Sequence, residues 1–308
     1  MWATLTATVS SALLYLDVWK ISGNFLSIKT KQTSKKLLKF GLPLIGIPII
    51  NYLLSTSDQL IIKMFCGDYD AGLYAMGYKL SSAIFSLTTT FLITSSHHII
   101  MDKYDNCDKC ETESFLQNLA LSYWTICLPL LICIFMFGKD IMMIMASEQY
   151  LDALMVFGLS SVGIVFGGYI NYTNKAWELS NRSWIIALFS GSGALVNVIL
   201  NIVLIPCYGY TVAAVTTIIS YLTVIVFSYL LGRKIINPNP PICTTLKLLS
   251  CAASAFVVSA LYVRLFPSGI IFSLLGCIIV VVVFAVVALL LLKKEFMKLF
   301  KQFSAQRG

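Results

Sequence analysis

The stretch GIIFSLLGCIIVVVVFAVVALLLLKK, residues 269–294, decides the fold. From Gly269 to Leu292 it runs 24 residues without a charge and then meets two lysines. About 20 mostly apolar residues in a helix cross a hydrocarbon core roughly 30 Å thick, so this segment reads as a membrane span. Working toward the N-terminus, eight further apolar spans appear at 246–266, 210–232, 184–206, 151–173, 115–137, 71–101, 38–62 and 2–19. The whole chain is 58% hydrophobic and 12% charged, which lies outside the soluble range. The expected fold is an all-α polytopic membrane protein of about nine transmembrane helices, with little mass outside the bilayer.

The basic residues are segregated. Lys20, Lys29, Lys31, Lys35, Lys36 and Lys39 follow the first span, Lys103 and Lys109 the third, and Lys175 and Arg182 the fifth. Arg233, Lys234 and Lys247 follow the seventh, and Lys293, Lys294, Lys298, Lys301 and Arg307 the ninth. The opposite gaps hold only Lys63, Lys139 and Arg264. This is the positive-inside pattern, and it places the C-terminus in the cytoplasm of a cytoplasmic-membrane protein. The net charge of +8 belongs to these loops and suits anionic lipid headgroups, so membrane lipids rather than nucleic acid are the expected partner. Nine spans then start outside, without a basic leader or a cleavage site after Met1. The expectation is that the chain begins within a longer molecule.

Between the spans, residues 20–37 form the longest basic connector and read as a cytoplasmic linker. The run GKDIMMIMASEQY at 138–150 is too short to cross and reads as an interfacial or half-turn element. Pro129 inside the fourth span reads as a kink or a break, and Gly163 with Gly167 as a tight helix crossing.

One basic residue, Lys79, lies inside a span. A lysine near a helix centre costs about 2.5–3.5 kcal/mol on insertion scales, so it faces protein or water. Asp58 and Lys79 sit at depths that differ by roughly 6 Å, a gap a lysine side chain covers, so the two are expected to pair across an antiparallel hairpin. Such a pair either pins two helices or lines a polar cavity that contacts an anion. Asn51, Ser55 and Asp58 make a polar stripe, Tyr78 lies beside Lys79, and Asn197 and Asn201 share a helix face. These are cavity residues or interhelical glue. His97 and His98 close the third span at its cytoplasmic end, where a histidine either carries a coupled proton or sits at the interface. Cys107 and Cys110 lack the four ligands a zinc site needs, so no metal is expected. No phosphate-binding loop, nucleophile elbow or metalloprotease helix appears, and the chain is not read as an enzyme.

Two stretches carry a family likeness: KFGLPLIGIPIINYLLSTSDQLIIKMFCGDYDAGLYAMGYKLSSAIFSL at 39–87, and NVILNIVLIPCYGYTVAAVTTIISYL at 197–222. Together they resemble the polysaccharide-unit (O-antigen type) flippases of the multidrug/oligosaccharidyl-lipid/polysaccharide exporter superfamily. The resemblance implies two six-helix lobes around a cavity that opens to alternate sides. On that template 1–19 is the last helix of a first lobe, 20–37 the interlobe linker, 38–232 the second lobe, and 233–308 two extra helices with a basic tail. It implies a polyprenyl-diphosphate-linked oligosaccharide as substrate, moved outward across the bacterial inner membrane, with H+ or Na+ as coupling ion and no other cofactor. Lys79 and Asp58 fall on the family's pattern, and Gln59 stands where the family often has a basic residue. A multidrug exporter of the same superfamily and a non-transporting remnant are the rival readings. A cavity whose clear charge is a lysine disfavours a cationic drug.

Overall fold

Acidic residues open the first two long helices, and glycines mark two of the turns in a largely apolar chain. The computed structural model describes residues 56–267 and 269–304, and every regular element among them is helical. A helical segment at 56–66 ends at Gly67, whose φ of +96° suits a residue without a Cβ. Helix α1, Asp68–Asn106, then opens with Asp68 and Asp70 at its positive end and closes with Lys103 in its last turn. Helix α2 is Lys109–Met145, and a 3₁₀ turn at Glu148–Ala153 leads into α3, Leu154–Leu179. Helices α4, Ser183–Tyr208, and α5, Val212–Gly232, meet at a tight turn around Gly209. Helices α6, Ile242–Leu265, and α7, Ile270–Ser304, complete the described chain.

Six of these elements are long and apolar enough to cross a membrane: α2, α3 with its leading turn, and α4 to α7. The sequence reading places seven spans in this region, and the difference is α1. At 39 residues it is long enough, but Lys79, two histidines and a run of serines and threonines make it too polar to count by composition. The first span, and all but the end of the second, lie outside the described residues. The short run at 138–150 is not a separate interfacial element. Its first part continues α2 to Met145, and only its end joins the 3₁₀ turn. Pro129 interrupts neither the helix nor its burial.

Helix α3 is the pillar, packed against α1, α2 and α5, while α4 packs on α5. Gly163 and Gly167 make the expected crossing, here with α5: a Cβ on Gly163 would lie 3.5 Å from Ile218, and one on Gly167 3.1 Å from the Tyr221 ring. The α1–α2–α3 seam is filled by Phe85, Phe115, Tyr123, Phe157 and Tyr172, all fully buried. Helices α6 and α7 pair with each other and dock on α2 through Phe137, Cys251, Ala255 and Phe284.

Candidate functional site

Asp58 is almost completely buried, and hydrogen-bond donors from three helices converge on it. Asn201 of α4 donates to Oδ1 at 2.6 Å; Tyr74 of α1 and Thr217 of α5 donate to Oδ2 at 2.8 and 3.0 Å. Asn197 holds the next layer, donating to Thr217 Oγ1 at 3.3 Å and accepting from Asn201 at 3.2 Å. Thr216 donates to Asn201 Oδ1, and both threonines also bond the Ala213 carbonyl at 2.9 Å. Tyr78 stacks on Tyr74 and hydrogen-bonds Tyr221 of α5. No ion pair to Asp58 exists among the described residues.

The arrangement is a carboxylate cage in low dielectric without a counter-cation. Such a group is neutralised by a proton or by a bound cation. The oxygens of Asp58, Thr217, Asn197 and the Ala213 carbonyl are hard donors, the type that suits an alkali cation rather than zinc or copper. No cluster of three His, Cys, Asp or Glu residues able to hold a metal occurs among the described residues.

The structure unites Asp58, Asn197 and Asn201, brings Tyr78 against the same cage, and leaves Lys79 out of it. Lys79 is exposed and pairs with no acid among the described residues, so the expected Asp58–Lys79 pair is not formed. The reason is azimuth rather than depth. Tyr74, which contacts Asp58, and Lys79 are five residues apart, about 140° around the helix. Lys79 instead starts an outward stripe of Ala83, Ser86, Thr90, Thr94 and His98, all exposed and at helical spacing, with Leu87 and Phe91 beside it. Asn51 lies outside the described residues.

His97 is not a simple interfacial residue. Its Nδ1 accepts from the buried Lys175 ammonium at 3.0 Å, and Lys175 also reaches Glu178 at 2.7 Å, tying α1 to the C-terminal end of α3. Glu178 approaches His97 at 3.4 Å. Two partners were missed from sequence. Thr217 was legible: it lies eight residues after Gly209, as Asn201 lies eight before it, so a tight hairpin puts them at one depth. Lys175 carried no such signal, because a lysine ending a span reads as a loop charge.

Long apolar helices around a buried polar cage, with a lysine on a hydroxylated face, define a multi-pass membrane protein built around a polar interior. Residues 1–155, just over half of the chain, match the family of polysaccharide biosynthesis proteins, and the chain belongs to that family. Its fold is similar to that of the lipid II flippase MurJ in an inward closed conformation, with a TM-score of 0.69 at 14% identity. The match covers 88% of this chain and 56% of that one, so the chain spans just over half the length of that structure. No curated protein matches it.

Proposed function

We propose that the chain acts in a flippase that moves a polyprenyl-diphosphate-linked oligosaccharide from the cytoplasmic to the outer leaflet of a bacterial cytoplasmic membrane. Residues 38–232 serve as its second lobe and 233–308 as two added helices, with the C-terminus in the cytoplasm. Family membership and the flippase-like fold support a lipid-linked substrate. The observation that carries the reading is the outward stripe of α1. A helix face turned to lipid is apolar, and this one presents Lys79 and a line of hydroxyls. Lys79 meets the diphosphate as a cation, and the hydroxyls meet sugar along the path. The Asp58 cage takes the coupling ion, H+ or Na+, and its tie to α1 through Tyr74 links ion occupancy to the helix that carries Lys79.

Complementation of a flippase-deficient strain tests this. The chain, supplied with any upstream residues its gene encodes, restores surface polysaccharide, whereas Lys79→Ala and Asp58→Asn at equal membrane levels each lower it at least tenfold. Normal complementation by Lys79→Ala refutes the diphosphate role. Failure of the unaltered protein, with resistance to amphipathic cations instead, favours the drug-exporter reading.

A further inference from the structure

A groove of about 770 Å³ separates α6 from α3 and α5. It arises because the α6–α7 pair docks on α2 and leaves its other flank without a helix partner among the described elements. One wall is a single face of α2: Gln117, Leu121, Trp124 and Leu128, at helical spacing. The opposite wall is α6, with Leu246, Leu248 and Leu249. From Gln117 to Leu128 the groove runs about 16 Å, close to the ~15 Å of one hydrocarbon leaflet.

Polarity changes along that length. The mouth is lined by Gln117, Asn237 and Asn239, and the deeper part by leucines and Trp124. The mouth is also firmly built. Gln117 donates to the Asn237 carbonyl at 3.2 Å, Glu113 accepts from the Asn237 amide at 3.0 Å, and Tyr169 donates to Asn239. Lys109 fastens the same loop through the Lys234 carbonyl at 2.7 Å. That loop carries Arg233 and Lys234, both exposed and neither in an ion pair among the described residues.

Within a bilayer such a groove is filled. An empty apolar space forfeits dispersion contacts, and water among leucines lacks hydrogen-bond partners. We propose that this groove holds one acyl chain of an anionic bilayer phospholipid, with its headgroup at the amide-lined mouth beside Arg233 and Lys234. The one-leaflet length fits a bilayer lipid and is short for a polyprenyl chain. The paired cations select a phosphate that carries net negative charge. The lipid wedges α6 away from α3 and α5, so it belongs to the architecture of the α2–α6 seam. This inference rests on the membrane reading alone and not on the transported substrate.

Native mass spectrometry of the full chain released from nanodiscs of equal phosphatidylglycerol and phosphatidylcholine tests it. The expected result is one phosphatidylglycerol retained per chain. Arg233→Gln with Lys234→Gln lowers retention at least fivefold, and Leu246→Trp, which narrows the apolar part of the groove from the α6 wall, does the same. Equal retention of phosphatidylcholine, or retention unchanged in both variants, overturns the proposal. So does displacement by an equimolar polyprenyl phosphate, which assigns the groove to the substrate tail. None of these readouts depends on transport.

Discussion

Replacing Asp58 separates what the cage contributes to the fold from what it does with an ion. Asp58→Ala removes the acceptor for Tyr74, Thr217 and Asn201 together. Interhelical hydrogen bonds in membrane proteins average about 0.6 kcal/mol, and stranding a buried donor costs about 1–3 kcal/mol, so the loss is about 2–5 kcal/mol. Asp58→Asn keeps the size and one acceptor, and the two hydroxyls rotate to accept from the new amide, so its cost is about 1 kcal/mol. It also removes the negative charge that a cation needs. For the unaltered protein, sodium at one hundred times its dissociation constant adds about 2.7 kcal/mol of stability. In a chain of 308 residues that is about 4 °C in Tm. The assay is thermal unfolding in detergent, in sodium against choline chloride at fixed ionic strength, and across pH in choline. The expected outcome is that the unaltered protein responds to sodium or to pH and that Asp58→Asn loses that response at small cost in stability. An identical response of the two proteins refutes the cage as the ion site.

Gly168→Ala drives a methyl to 2.1 Å from the Tyr123 hydroxyl, which itself donates to the Val165 carbonyl at 2.7 Å between α2 and α3. Overpacking plus the lost bond costs about 2–4 kcal/mol, and adding Tyr123→Phe restores part of it; unfolding titrations measure both. The Lys103 ammonium beside Glu111 holds its carboxyl below the ordinary range, so the α1–α2 turn keeps this contact at neutral pH and loses it as pH falls through that lowered value. Amide exchange over 100–113, corrected for intrinsic rates, is therefore flat from neutral pH through the ordinary carboxylate range and rises only below it, and Lys103→Ala abolishes the transition. The exposed Cys207 reacts with an impermeant maleimide from outside intact cells, while the exposed Cys107 and Cys110 react only after permeabilisation; the reverse pattern inverts the topology.

The spans that became α2 to α7 were legible because apolar length is a linear property of the chain. The Asp58 cage was half legible. Asn197 and Asn201 share a face by spacing alone, and that face does meet Asp58. Sequence depth, however, says nothing of azimuth, and this is why the Lys79 pairing failed. Lys103 was hidden for a similar reason. Counted as a loop charge, it is buried under the turn, over the Phe115 ring and against Glu111. The α2–α6 groove had no sequence signature, since it is a gap between elements rather than a property of any one.

The length of α1 has a mechanical consequence. Its 39 residues make a rod of about 58 Å, nearly twice the hydrocarbon thickness. Pivoted near Leu87, its arm to Asn106 measures roughly 29 Å, and a ten-degree tilt sweeps the tip by about 5 Å. The buried Lys103 contact with Glu111 ties that tip to the first turn of α2. A probe on the exposed Cys107, one residue past that tip, would therefore register a tilt of α1 with the gain of the whole arm.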